Sequence, residues 1–146
     1  MKWEWLPFAE LTAKQAYDML QLRETVFHLE QRSMNNDLDN IDIQAKHLLG
    51  FDNETLIAYL RVYLENDVLY IGRIIIDKEY RGAGMGRMMV DKTVEKLQKC
   101  YPGFPICVRA QYAQQYFYQK LHFMAQGEPF DDAGVSYVKM LHVPVG

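Results

Sequence analysis

The segment Asp77-Lys78-Glu79-Tyr80-Arg81-Gly82-Ala83-Gly84-Met85-Gly86-Arg87 concentrates the residue types that can hold an anion. Glycines let a backbone come close to a ligand and turn its N–H groups toward it. The apolar spacing downstream predicts that a helix starts here, which adds unpaired N–H donors and a partial positive charge. Arg81 and Arg87 flank the cluster with fixed positive charge. Together these features suit a phosphate or pyrophosphate. A turn that only caps a helix needs one glycine, and here there are Gly82, Gly84 and Gly86. The spacing argues against two common phosphate loops. A dinucleotide fingerprint, G-x-G-x-x-G, opening at Gly82 needs a glycine where Arg87 stands. A P-loop needs Lys-Ser or Lys-Thr after its second glycine, and neither follows. The pattern that fits is Arg81-x-x-Gly84-x-Gly86.

The elements that must position this loop follow from periodicity. Directly before it, Ile74-Ile75-Ile76 places apolar side chains on both faces of a strand, as in the middle of a covered sheet. Strands over 47–51, 55–65 and 68–77 are separated by Asp52-Asn53-Glu54 and Asn66-Asp67, which predicts an antiparallel meander. After the loop, Met85, Met89, Val90, Val94, Leu97 and Tyr101 form a helical stripe that Pro102-Gly103 ends. Upstream, Trp3, Trp5, Phe8 and Leu11 suggest a first strand, kept at an edge by Pro7. Thr12-x-x-Gln15 reads as a capping box opening a helix over 12–28, with Ala16, Met19, Leu20, Arg23, Val26 and Phe27 at helical spacing. Residues 32–46, with Asp37, Asp39 and Asp42, have no clear period and predict a long loop. Downstream come a strand over 105–110 and a helix over 113–121 that turns Ala113, Tyr116, Phe117 and Leu121 inward. Two strands within 123–140 follow, joined by the turn-rich 127–134. The order β-α-β-β-β-α-β-α-β-β implies a mixed α/β architecture: one mostly antiparallel sheet of six to seven strands flanked by helices.

The remaining numbers set bounds. The 146 residues fit a single domain, 1–146. A chain of that length buries roughly 70% of its unfolded surface and needs no disulfide or metal to fold. With 49% hydrophobic and 24% charged residues it is an ordinary globular composition. Sixteen Lys+Arg against nineteen Asp+Glu give a net charge of −3, which argues against non-specific nucleic-acid binding. The longest apolar run, Leu56 to Leu60, is too short to span a membrane. Met1-Lys2-Trp3-Glu4-Trp5 has no hydrophobic signal core, so a cytoplasmic location is expected, with Cys100 and Cys107 reduced and serving as packing residues.

Arg81-x-x-Gly84-x-Gly86 resembles the [QR]-x-x-G-x-[GA] pyrophosphate loop of the GNAT superfamily of acyl-CoA N-acyltransferases. The resemblance covers nearly the whole chain and is greatest to the ElaA-like subgroup. It is carried by Leu22-Arg23, Val26-Phe27, Glu30-Gln31, Asp39-x-x-Asp42, His47-Leu48, Gly72-Arg73, Gln111, Phe117-Tyr118 and Phe123, in that order. It implies a GNAT-type fold and acetyl-CoA as co-substrate. No metal is expected, because the spacing of Asp37, Asp39, Asp42 and His47 lacks the central glycine and twelfth-position Glu of an EF-hand. Arg81, Gly82, Ala83, Gly84, Met85, Gly86 and Arg87 would hold the pyrophosphate. The backbone of Ile74, Ile75 and Ile76 would run alongside the pantetheine, and Gln111 stands where many relatives have a CoA-contacting Asn. Tyr118 falls at the position of the family's proton-donating tyrosine, and a phenol suits protonation of a departing thiolate. Glu30 and His47, with Asp39 and Asp42, are the polar groups nearest the implied acceptor side. Glu30 and His47 are the candidates to take the proton that an amine must lose before it attacks a thioester. The chain departs from the subgroup at Tyr137, in Gly134-Val135-Ser136-Tyr137-Val138, where a His is usual, and at His28 and Arg32, which replace more typical small, apolar or Cys residues around Glu30-Gln31.

The function implied is acetyl transfer to a primary amine of a small molecule or peptide by direct attack in a ternary complex. The acidic stretch 37–42 would favour a cationic acceptor. Family analogy adds a homodimer, with the aromatic N-terminus and the C-terminal strands as interface candidates. Two readings compete. A CoA-binding module without catalysis would use the same groove as a sensor or assembly surface. A nucleotide-binding protein of another class would rest on the loop alone and take ATP or NAD.

Overall fold

The computed structural model describes residues 1–32 and 37–144. Residues 33–36 of the expected 32–46 loop therefore lie outside the described residues. Seven strands form one mixed sheet in the order β1-β2-β3-β4-β5-β7-β6. They are β1 Lys2–Pro7, β2 Lys46–Asp52, β3 Thr55–Glu65, β4 Val68–Ile76, β5 Ile106–Gln111, β6 Phe123–Asp132 and β7 Val135–His142. The helices are α1 Ala13–Arg23, α2 Met85–Cys100 and α3 Gln115–Gln119. All pairings recorded for the sheet are antiparallel except the short parallel ladder of β4 with β5 over Leu69–Ile71. The chain divides into two compact units, Met1–Tyr63 with Gly72–Gly86, and Leu64–Ile71 with Arg87–Gly146.

In the first unit β1 pairs with β2 at the sheet edge, as Pro7 requires, and β2 pairs with β3. Trp3 lies opposite Gly50, and a Cβ at Gly50 would collide with its indole, so this close approach demands glycine. The capping box is formed: Thr12 Oγ1 accepts from the Gln15 N–H at 3.0 Å, and Gln15 Oε1 from the Thr12 N–H at 2.9 Å. The α1 residues Met19 and Leu22 pack with Val26, Leu49, Phe51, Leu56, Tyr59 and Ile75 into one core. Helical backbone continues past Arg23, but as a π-helix over Glu24–Glu30, closed by the Gln31 N–H on the Val26 carbonyl at 3.0 Å. Nothing in the apolar spacing distinguishes this wider turn from an α-helix.

In the second unit the turn between β3 and β4 is Asn66-Asp67, with φ of 50° and 61°. That is the primed two-residue hairpin that Asn and Asp favour. α2 buries Met89, Val90, Val94 and Leu97. Cys107 is buried as expected, whereas Cys100 is exposed at the end of α2; both thiols are free. Two further expectations are corrected here. The last hairpin turns at Ala133-Gly134, and 127–132 belongs to β6, with a register shift between Gln126 and Phe130 absorbed at Gly127. The helix near residue 118 is short and preceded by a 3-10 turn, Tyr112–Gln114, so a uniform 100° step across 113–121 fails. Tyr116 is 76% exposed and Phe117 37%, while Tyr118 is 7% and Leu121 2% exposed. The inward face is thus Tyr118 and Leu121, not the stripe of Ala113, Tyr116 and Phe117.

Candidate active site

Within the first unit Gly72–Gly86 runs continuously from the end of β4 through the three glycines. Ile75 is 1% exposed and belongs to the core, while Ile74 and Ile76 are half-buried on the other face. Just before them Arg73 adopts φ +50°, left-handed backbone that a non-glycine residue holds only when its surroundings fix it. Here they do. Arg73 Nε donates to Asp37 Oδ1 at 3.2 Å, its Nη2 donates to the Asp37 carbonyl at 3.1 Å, and its guanidinium lies 5.8 Å from the Phe27 ring centre. Arg73 stands two residues after Ile71, the last residue of β4 paired with β5.

The loop then follows a 3-10 turn, Lys78–Tyr80, held by the Glu79 N–H on Asp77 Oδ1 at 3.0 Å and by the Tyr80 hydroxyl on Asp52 Oδ2 at 2.6 Å. Gly82 and Gly84 have φ of +89° and +80°, and a Cβ at either would meet no atom within 4 Å. The glycines are therefore required by backbone conformation, and the space beside them is open for a ligand. Gly86 lies inside the first turn of α2 with no left-handed φ. Arg81 Nε donates to the Ile76 carbonyl at 2.8 Å, and its Nη1 pairs with Glu30 Oε1 at 3.0 Å. So Glu30, a sequence candidate, closes the π-helix against the loop through Arg81.

His47 does not fill the role expected of it. It is fully buried on β2, opposite Leu6 and Arg61. Its Nε2 lies 2.9 Å from the Asp42 carbonyl, which can only accept, so Nε2 carries the proton. Nδ1 then accepts from the Tyr59 hydroxyl at 2.5 Å. Both ring nitrogens are spent, and burial pushes the imidazole pKa down. This geometry leaves no nitrogen to take a proton from an acceptor amine.

The acidic stretch is also corrected. Asp42 Oδ1 accepts from Arg23 Nη1 at 2.8 Å and from Arg61 Nη1 at 3.0 Å. Asp39 accepts from Arg61 at 2.9 Å and 2.5 Å, and Asp37 pairs with Arg23 as well as Arg73. Arg23 is 0% exposed and Arg61 2%. Three guanidiniums neutralise the three carboxylates, so Asp37–Asp42 is not a free cation site. Among the described residues no group of His, Cys, Asp and Glu could hold a metal. The arginines were in plain view, but pairing across 14 to 36 positions leaves no local pattern to find it by.

The network has a pH signature. Burial alone would raise the Asp39 carboxyl, but the Arg61 hydrogen bond and charge outweigh it and hold it at about 2. Asp42 is held low in the same way by Arg23 and Arg61 against the opposing effect of burial. A carboxylate depressed in the folded state stabilises fully above its unfolded value, near 3.9, and loses that contribution as pH falls toward 2. The denaturation midpoint is therefore expected to be insensitive to this network from pH 7 to about 5, then to drop between about 4 and 2. Arg61→Met should shrink that acid limb; an unchanged limb would mean that these pairs do not set it.

In the second unit Tyr118 is packed edge-on against Phe117 at 5.0 Å and Phe123 at 5.9 Å, and burial raises its hydroxyl pKa to about 12. Its phenol therefore stays protonated throughout the neutral range. Gln111 ends β5 and pairs in register with Tyr137 of β7, whose ring stacks on Phe130 at 6.0 Å.

Residues 11–143 match the acetyltransferase (GNAT) domain family. Protein ElaA of Escherichia coli K12 is 34% identical over 145 residues, covering 96% of this chain and 95% of that protein. The crystal structure of Escherichia coli ElaA matches with a TM-score of 0.91 at 32% identity, over 98% of this chain and 100% of that one. An acyl-CoA N-acyltransferase from Pseudomonas aeruginosa matches with a TM-score of 0.91 at 26% identity, again over 98% and 100%. An N-acetyltransferase of Thermoplasma acidophilum, solved in complex with coenzyme A, shares the fold with a TM-score of 0.68 at 13% identity, over 95% and 98%.

Proposed function

The chain belongs to the GNAT acetyltransferase family, and from that premise we propose that it transfers the acetyl group of acetyl-CoA to a primary amine by direct attack in a ternary complex. The observation that carries this reading is the loop: two left-handed glycines with open space beside them, leading from β4 into the first turn of α2. Backbone N–H groups from Arg81 to Arg87 take the pyrophosphate, with Arg81 and Arg87 adding charge. The backbone of Ile74–Ile76 carries the pantetheine and polarises the thioester carbonyl, and Gln111 contacts CoA.

Glu30, exposed beside the loop, receives a proton from the acceptor ammonium, the task that His47 has no free nitrogen to do. The amine lone pair then forms the C–N bond as the C–S bond breaks. Tyr118 gives the CoA thiolate its proton, and the second proton leaving nitrogen restores the phenol. One proton is released overall.

Ligand-induced thermal shift is the first test. Acetyl-CoA or CoA at 100 times its dissociation constant should add about 2.7 kcal/mol of stability, with far smaller shifts from ATP or NAD at equal concentration. Stabilisation by ATP or NAD and none by CoA would end the acyltransferase reading. Thiol release from acetyl-CoA across a panel of amines then separates an enzyme from a CoA-binding module, which would show the shift without turnover.

A further inference from the structure

A cavity of about 400 Å³ lies on the first unit, lined by Leu20, Glu24, His28, Asp37 and Leu38. That volume is within the range of small-molecule sites. Leu20, Glu24 and His28 follow one another at steps of four, so they share a face where α1 passes into the π-helix. Widened turns of this kind are rare and occur often at functional sites. The π-helix is tied to β4 and the loop at two points. Phe27 lies under Arg73, which directly precedes Ile74, and Glu30 pairs with Arg81, which bonds the Ile76 carbonyl. Asp37 in the cavity wall accepts from Arg73 of β4, which gives a third tie.

The charges around the cavity are not all spent. Asp37 is neutralised by Arg23 and Arg73. Glu24 is exposed and makes no ion pair or side-chain hydrogen bond among the described residues. With the three Arg–Asp sets balanced, the Glu24 carboxylate is the acidic group of the lining that no arginine neutralises. Leu20 and Leu38 supply apolar wall. A carboxylate and two leucines in one lining match a cation on a hydrocarbon stem better than they match a bare ion, an anion or a neutral polar group.

Resting on the acetyltransferase reading, we propose that this cavity selects the acceptor: an aliphatic amine bearing a second cationic group, which Glu24 holds while Leu20 and Leu38 cover the methylene stem. The group held by Glu24 stays protonated and does not react. The other amine is the one that loses its proton and attacks the thioester.

The test is calorimetric titration of the protein–CoA complex, at one fixed ionic strength, with 1,4-diaminobutane and with n-butylamine. The diamine should bind about tenfold more tightly or better, a difference of about 1.4 kcal/mol. Glu24→Gln should remove most of that advantage, and Glu24→Lys all of it, while CoA binds as before. Glu24 is exposed, so neither variant threatens the fold. Equal binding of the two amines, or a diamine advantage that survives both substitutions, would overturn the assignment. Failure of the wild-type protein to bind CoA is a separate result, read in the first titration, and would count against the acetyltransferase reading instead.

Discussion

Tyr118→Phe is expected to lower kcat about 10²–10⁴-fold, the usual loss when a general acid is removed, while fold and CoA affinity persist. Phenylalanine keeps the ring that packs against Phe117 and Phe123 and deletes only the hydroxyl. The loss should appear equally in kcat and kcat/KM, because the proton moves only near the transition state. It should shrink for acyl donors whose thiol leaves easily without protonation. With the hydroxyl raised to about 12, the wild-type rate should not fall through deprotonation of Tyr118 until well above pH 10. Single-turnover rates are the measurement, since product release could hide the chemical step. Equal single-turnover rates for variant and wild type would reduce Tyr118 to a packing residue.

Gly84→Val is expected to weaken CoA binding by about 10²–10⁴-fold, the equivalent of losing two charge-assisted backbone hydrogen bonds at ~1.5–3 kcal/mol each. The side chain would stand in the open space beside the loop. It would also be strained at φ +80°, at about 1–2 kcal/mol, so the melting temperature should fall by a few degrees as well. Gly86→Val separates the two effects. Gly86 has no left-handed φ, so that variant should lose CoA affinity without the backbone penalty. Calorimetric CoA titration beside thermal unfolding reads both quantities. Unchanged affinity in both folded variants would mean that another part of the chain holds the pyrophosphate.

Whatever short-range chemistry enforces is legible in the order of the amino acids. The Thr12–Gln15 box starts α1, Asn66-Asp67 makes the primed hairpin, and β2, β3 and β4 begin and end within a residue of the apolar runs 47–51, 55–65 and 68–77. The glycine cluster was legible for the same reason, since left-handed φ at Gly82 and Gly84 is a property of those residues and their immediate neighbours. Family membership was legible as well, because its pieces recur in order along the chain.

Tertiary structure alone decided what long-range partners control. The apolar spacing of residues 12–28 is compatible with α and π backbone alike, and the π-helix over Glu24–Glu30 is where Phe27 and Glu30 meet Arg73 and Arg81. A histidine and an acidic run look like acceptor chemistry in isolation. His47 is instead sealed between Tyr59 and the Asp42 carbonyl, and the run is matched to arginines from α1, β3 and β4, because a buried charge persists only when paired. Tyr118 faces inward because a five-residue helix takes its orientation from what it packs against, and a stripe that short has too few turns to fix its own phase.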